Sequence, residues 1–378
     1  MKAAGATAAP ERAPSQTIPG ELSENANMAG LASYAKQETA LGAMTEARAK
    51  APVFVIGSPR SGNNFLYHTL LSSGGFAVYR AASQVFNMLV PRFGDFSVLK
   101  NRQEMMKEWL ASPYFERTGL DAASIEAKVL SKCRNGGDFL RIVMGEMCRH
   151  QNVGRWATLS VEEMLYLPEI KRTVPDALFV HTIRDGRDVA LSLAKKGYVR
   201  PLPWDKDRSL LVAACYWDWI VRKGRKLGQA MDPDYLEIRY EDLVTNPRET
   251  LNVIGKFIGQ DIDYDRILQA AVGTVGDPNT SFKAGEDQAS FNPVGRWRAG
   301  YSKELLGVVE AMTGPLLREL GYTIETPDEE LRRARSYPAL KKLYKLYFET
   351  RFWVKSKTPL ARFMVSASSM RSMDAFTL

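Results

Sequence analysis

The stretch Val53-Phe-Val-Ile-Gly-Ser-Pro-Arg-Ser-Gly-Asn-Asn-Phe-Leu66 constrains the chain more than any other. Its first four residues are apolar and mostly β-branched, the pattern of a strand buried on both faces. A Gly/Ser/Pro loop follows, and from Asn63 onward Phe65, Leu66, Leu70 and Leu71 fall on one helical face. Strand, Gly-rich loop and helix, in that order, aim backbone N–H groups and the positive end of a helix dipole at an anion.

Gly57 and Gly62 have the spacing of a Walker A loop, but Asn63 and Asn64 stand where its Lys and Ser/Thr belong. A nucleoside-triphosphate site needs that Lys to neutralise the β- and γ-phosphates and that hydroxyl to hold magnesium. Kinase and NTPase chemistry are therefore disfavoured. A loop with N–H groups, Ser61, two amide side chains and the single cation Arg60 suits a smaller anionic group, with no metal demanded. Such turns also occur in α/β folds without a ligand, so the loop alone leaves both readings open.

The chain has 378 residues, enough to bury a large core. Its three cysteines, Cys133, Cys148 and Cys215, are scattered with no C-x-x-C pair, which argues against a disulfide framework or zinc site and suits a reducing, cytoplasmic setting. His68, His150 and His181 are too dispersed to suggest a metal cluster. No apolar run approaches the roughly 20 residues of a membrane span, and the Ala/Pro/Ser-rich start has no secretory apolar core. The net charge of +8 points first to nucleic acid, but its location removes that reading. From Leu331 to Leu378 eleven Lys/Arg face only Glu349 and Asp374, so the rest of the chain is close to neutral.

Three units are expected: a flexible tail over 1–50, with a short helix near Ala32–Arg48; a folded domain over 51–326; and a basic extension over 327–378. Within the domain, Phe76–Tyr79 reads as a short strand, and Ala81–Trp109 as helix and loop lining a pocket. Helices are predicted over Ala122–Lys132, capped by Asp121, and over Phe139–His150. Leu159–Arg172 reads as a helix opened by a capping box of Ser160 and Glu163. Ala177–Ile183 is a second buried strand, Ser209–Gly228 a long helix, and Tyr235–Tyr240 a third strand. Thr245-Asn-Pro-Arg opens a helix to about Ile258. Strands alternating with helices in this way predict a three-layer α/β/α fold with a central parallel sheet. In the extension, Leu340, Leu343, Tyr344, Tyr347, Phe348 and Phe352 recur near helical spacing among lysines. That pattern fits either a helix packed on the domain or one lying on a membrane surface.

Two further segments carry anion chemistry. Arg184 follows a buried strand directly, where parallel sheets place their ligands. Ser192 is eight residues on, about two helical turns, and a guanidinium with a hydroxyl makes a natural phosphate clamp. Asp185, Arg187 and Asp188 read as first-turn and surface charges. Phe291-Asn-Pro-Val-Gly-Arg-Trp-Arg-Ala-Gly-Tyr301 places two arginines around Trp297 in a Gly-bounded loop. It is either a surface loop with a Trp anchor or a lid that offers N–H and guanidinium groups to an anion. His181, inside the second strand, reads as a core histidine, and Tyr216, Trp217 and Trp219 as core of the long helix. Glu241 and Asp242 read as braces of the turn after the third strand.

Gly57-Ser-Pro-Arg-Ser-Gly-Asn-Asn-Phe-Leu66 resembles the 5′-phosphosulfate loop of sulfotransferases that use 3′-phosphoadenosine 5′-phosphosulfate (PAPS). Arg184 to Ser192 resembles their 3′-phosphate motif, and Val294-Gly-Arg-Trp-Arg298 is similar to the Gly-Arg-Trp-Arg element of their C-terminal loop. Arg239-Tyr-Glu-Asp-Leu243 and Thr280-Ser-Phe-Lys283 are similar to their adenine-side motifs. The five motifs fall in the family's order between about Ala51 and Tyr322. The resemblance implies a P-loop NTPase-like sulfotransferase fold, PAPS as co-substrate without a metal, and a small-molecule, carbohydrate or lipid acceptor. It implies that Arg60 is the catalytic cation at the sulfate, and that Ser61, Gly62, Asn63 and Asn64 bind the 5′-phosphate. Arg184, Ser192, Gly295, Arg296 and the neighbouring Trp297 and Arg298 would serve the 3′-phosphate, and Phe65, Tyr240, Thr280 and Phe282 the adenine.

The chain departs from the family in three places. Asn63-Asn64 replaces the usual Thr-Thr. Trp156-Ala-Thr-Leu-Ser160 lacks the Lys of the usual Lys-Thr-Pro. Tyr79-Arg-Ala-Ala-Ser-Gln84 offers no Glu or His as a base, which leaves Asp95, Glu104 and His68 as candidates. These departures keep open a degenerate member that binds the nucleotide as a scaffold.

Overall fold

The computed structural model describes residues 46–272, 293–333 and 337–365. Five strands form one parallel sheet in the order β2-β3-β1-β4-β5: β1 Val53–Gly57, β2 Phe76–Ala77, β3 Arg155–Leu159, β4 Leu178–Ile183 and β5 Tyr235–Arg239. The described helices longer than ten residues are α1 Asn63–Ser73, α2 Leu99–Leu110, α3 Ala122–Lys132, α4 Gly136–His150 and α5 Gly186–Lys196. They continue with α6 Ser209–Gln229, α7 Pro247–Ile258, α8 Lys303–Glu319 and α9 Tyr337–Lys357.

The apolar run of β1 is two-sided, as its composition requires. Phe54 and Ile56 enter one core with Phe179 of β4 and the apolar faces of α4, α5, α6 and α8. Val53 and Val55 enter the other core with Val180, with Leu66 and Leu70 of α1, and with Leu251, Ile254 and Phe257 of α7. The sheet is thus flanked by helices on both faces. Each buried aliphatic or aromatic side chain contributes about 1.5–3 kcal/mol of transfer free energy, and the central strand collects it from both sides.

The local signals locate α1, α3, α6 and α7 within a residue or two. The segment 155–173 differs. Arg155–Leu159 is a strand inserted between β2 and β1, a short 3-10 helix spans Glu162–Tyr166, and the α-helix begins only at Leu167. Ser160 and Glu163 form no capping box. Glu163 instead turns away to accept hydrogen bonds from Ser83 Oγ and from the Phe86 N–H at 2.7 Å. The polar ends of β3 hid it in the sequence: Arg155 is buried because its guanidinium donates to the backbone oxygens of Ala51 and Arg48.

Helix α9 packs on α6. Tyr344 is fully buried, its hydroxyl lies 2.9 Å from Asp205 Oδ2 and accepts from the Leu202 N–H, and Lys341 pairs with Asp218 at 2.9 Å. Tyr216, Trp217 and Trp219 of α6 are buried, as their place on a long helix predicts.

His181 lies fully buried on β4 with Nδ1 2.6 Å from the Tyr235 hydroxyl. Burial, with a smaller effect of Arg225, pulls its imidazole down to about 3. Below about pH 6.5 the unfolded chain binds a proton at this residue that the folded chain refuses, so stability falls with pH through that window. The loss from this one group is about 1.4 kcal/mol per pH unit. Urea unfolding of His181→Gln is expected to show a flatter pH dependence between 6.5 and 4. An unchanged slope would mean that the acid sensitivity lies elsewhere.

Candidate functional site

The residues singled out in the sequence converge at the carboxyl ends of β1, β4 and β5. The loop after β1 carries Arg60 at φ 70°, a left-handed conformation that costs a non-glycine residue roughly 1–3 kcal/mol. The loop keeps this shape because Asn63 Nδ2 donates to the Ser58 carbonyl at 2.8 Å and the Ser61 N–H donates to the same oxygen at 3.2 Å. Asn63 is buried and Asn64 exposed, so the two amides differ in role: the first locks the loop and the second faces solvent. No side chain caps the N-terminus of α1 and no acidic residue sits in its first turn, so the helix itself places no carboxylate at its positive end.

Gly62, at φ 90°, is required by Tyr240. A Cβ there would sit 2.2 Å from the tyrosine ring. That ring meets Phe65 edge-on at 6.3 Å, and the Arg184 guanidinium lies over it at 4.6 Å. Tyr240 thus joins the loop, the first turn of α1 and the end of β4 into one body.

Arg60 and Arg184 are already engaged with the site's own atoms. Arg60 Nε donates to Ser192 Oγ at 2.9 Å, which ties the loop after β1 to α5. Arg184 donates to the Arg60 carbonyl at 3.3 Å and to the Pro293 carbonyl at 2.7 Å, and lies 3.5 Å from Asp188. Even so, among the described residues Ser61 Oγ and Arg184 Nε are buried without a partner, as is Thr182 Oγ1 on β4.

Asp185, Arg187 and Asp188 are not surface charges: all three are buried at the start of α5. Asp185 caps α5 through the Arg187 N–H at 2.9 Å and pairs with the Arg187 guanidinium at 2.7 Å. Arg187 also pairs with buried Glu310 of α8 and stacks on Trp297 at 3.8 Å. Asp188 accepts from the N–H groups of Gly295 at 3.0 Å and Trp297 at 2.8 Å. Burial pushes the Asp188 carboxyl up, and Asp185 adds to this; Arg184 and the two amide donors pull it back. Glu241 completes the brace, accepting from the Asp185 N–H and from the Tyr322 hydroxyl, both at 2.9 Å.

These contacts redefine the Val294–Arg298 loop. The Gly295 N–H, expected at a phosphate, is held by Asp188. The Trp297 ring is buried between Arg187 and Arg298, as an anchor. Arg298 pairs with Glu325 at 3.0 Å, while Arg296 is exposed. Thr280 and Phe282 lie outside the described residues. Of the candidate bases, Asp95 caps its own turn through Ser97, whose hydrogen bonds hold its carboxyl below the ordinary range. Glu104 is exposed beside Lys100, and His68 is half-buried on α1. The buried carboxylates Glu162 and Glu163 escaped the sequence reading because Glu163 fits a capping pattern. Glu310, which pairs with Arg187, and the Gly295 and Trp297 amides, which Asp188 holds, lie more than a hundred residues along the chain from those partners.

A sequence model of the sulfotransferase family matches residues 52–264, more than half of the chain and the whole of the sheet. The chain belongs to the sulfotransferase family. Among curated relatives it is similar to carbohydrate sulfotransferase 1 of Rattus norvegicus, 27% identical over 132 residues, which are 34% of this chain and 32% of that protein. Carbohydrate sulfotransferase 1 of Homo sapiens is 30% identical over 99 residues, 26% of this chain and 24% of that protein. The matched segments thus span a third or less of these relatives. Among solved structures, the sulfotransferase domain of the Synechococcus PCC 7002 olefin synthase aligns with a TM-score of 0.48 at 20% identity, covering 73% of this chain and 96% of that domain. Among the described residues, no helix of this family member is long and apolar enough to cross a membrane.

The contact between Gly62 and Tyr240 gives a direct test. Gly62→Ala, strained at positive φ and driven into the ring, is expected to lose more than about 1 kcal/mol of stability. Tyr240→Ala in the same chain should recover part of that loss, read as a favourable coupling in a double-mutant cycle. Strict additivity would show that the two residues do not press on each other.

Proposed function

We propose that this chain transfers a sulfuryl group from PAPS to a hydroxyl or amine of a small-molecule, carbohydrate or lipid acceptor. PAPS, when bound, supplies a sulfuryl group already activated by its anhydride link to the 5′-phosphate. The chain's part is to bind two separated anionic groups, to position the transferred group and to stabilise charge on the leaving oxygen. Arg60 would face the sulfate and the leaving oxygen. Ser61, Gly62, Asn63 and Asn64, at the open end of α1, would receive the 5′-phosphate. Arg184 and Ser192, with Arg296 from the C-terminal loop, would receive the 3′-phosphate, and Phe65 and Tyr240 would form an aromatic wall for adenine.

One observation carries this reading: among the described residues, Ser61 Oγ and Arg184 Nε are buried donors without partners, on segments that the Arg60–Ser192 hydrogen bond ties together. A buried donor left unsatisfied costs about 1–3 kcal/mol, and an anionic ligand across these loops would satisfy both. Calorimetric titration with adenosine 3′,5′-bisphosphate tests it. Wild type is expected to bind; Arg184→Ala should lose about tenfold or more in affinity, as expected for a charge-assisted contact. Arg60→Ala should bind nearly as well but lose turnover. No binding by wild type would sink the proposal. Binding without turnover over a broad acceptor panel would favour a nucleotide-binding scaffold, the reading that the absence of Lys from Trp156–Ser160 keeps in play.

A peripheral membrane contact is supported by the outer face of the C-terminal segment. Leu343, Leu346 and Trp353 of α9, with Leu360 and Phe363 beyond it, are exposed among Lys342, Lys345, Lys357 and Arg362. Exposed apolar groups flanked by cations suit an anionic lipid surface. Sedimentation with vesicles containing phosphatidylserine should retain wild type and release Leu346→Ser/Trp353→Ser. Equal partitioning of the two would remove the membrane from the account.

A further inference from the structure

The 3-10 helix Glu162–Tyr166, α6 and α9 line a partly open cavity. About 40 Å³ of it is open to the centre of a water molecule, yet its walls come from five separate chain segments. We refer to this cavity as the slot. Leu165, Val199, Trp219, Phe348 and Phe352 make its sides apolar.

Among the described residues, five polar atoms on residues lining this slot are buried and have no partner: Asn87 Oδ1, Glu162 Oε1, Tyr166 Oη, Tyr216 Oη and Arg351 Nε. Glu162, Asn87 and Tyr216 are each more than nine-tenths buried. Native interiors leave only a few such groups unpaired per hundred residues, and five gathered around one slot point to an occupant with a polar group of its own. A hydroxyl, which both donates and accepts, answers this mixed set of carboxylate, amide, phenols and guanidinium.

The slot also stands in the right place. Glu163 pins the turn that carries Asn87, a π-helical segment over Val85–Leu89, by accepting from Ser83 Oγ and the Phe86 N–H. Glu162 beside it follows β3, the strand next to β1, with the Ser160 N–H bound to the Val55 carbonyl at 2.8 Å. Val199 follows Ser192 by four residues of α5, about 6 Å, and three more residues, at most about 11 Å. The slot wall therefore begins within roughly 17 Å of the hydroxyl that Arg60 binds. Burial raises the Glu162 carboxyl above its usual range, while Lys355, Asn87 and Arg351 act to keep it ionised.

We infer that this slot is the acceptor site, and that its occupant is an alcohol on an aliphatic chain whose hydroxyl bonds to Glu162. The inference rests on the sulfotransferase reading above and assigns α9 a binding role: it supplies the wall residues Tyr347, Phe348, Arg351, Phe352 and Lys355.

The test uses the full-length protein with 1-octanol as aliphatic probe and methyl glucoside as sugar probe, each titrated calorimetrically beside adenosine 3′,5′-bisphosphate. Octanol is expected to bind wild type, and Glu162→Gln and Tyr216→Phe should each weaken it roughly tenfold while leaving bisphosphate affinity unchanged. The Tyr216→Phe change removes one hydroxyl and keeps the ring, so its thermal midpoint reports whether folding is intact. Bisphosphate binding without octanol binding overturns the inference and spares the proposed function. Octanol binding without bisphosphate binding overturns the function and, with it, the acceptor assignment. Tighter binding of the glucoside, or equal octanol affinity in wild type and both variants, also overturns it.

Discussion

The architecture of the site depends on a buried charge cluster at the start of α5. Asp185, Arg187 and Asp188 lie under the strand ends, and each reaches a different part of the chain: Glu310 of α8, the Gly295 and Trp297 amides, and the corner after β5 through Glu241. Removing one partner from such a cluster leaves an uncompensated buried charge, a cost of about 3–5 kcal/mol. The loops after β1 and β4 are thus held by a structure that is itself expensive to disturb, which fixes their geometry in advance.

The same cluster explains how the loops after β1 and β4 can hold two arginines close together. Arg184 rests on the Tyr240 ring and beside Asp188, so its charge is balanced within the protein. Arg60 lies at the surface with its Nε on Ser192, where a strained backbone keeps it aimed across the loop. One cation is anchored and the other presented. That division matches a proposed split between holding a nucleotide and acting on the group it carries.

Much of this was legible in the sequence wherever the signal was local. The apolar run at Val53–Ile56, the Asp121 cap of α3 and the Asn246-Pro247 opening of α7 each announce their element within a few residues. Arg60, Arg184 and Ser192 could be paired because strand ends in a parallel sheet share one edge. The signal failed where long-range partners decide the outcome. Arg155 reads as polar because the backbone oxygens that neutralise it belong to residues 48 and 51. Asp188 reads as a surface charge because the amides it holds follow more than a hundred residues later. Glu162 gives no signal at all, since only the docking of α9 encloses it.

Helix α9 has one further consequence. Phe348 and Phe352 face inward, while Leu346 and Trp353 face out, so two surfaces with different duties share a single helical register. Adding one residue near Thr350 would turn everything after it by about 100°. Trp353 would swing toward the slot, and Lys355 would leave Glu162. The segment therefore tolerates exchange of side chains more readily than any change of length, and natural variation in it should appear as substitutions rather than as insertions.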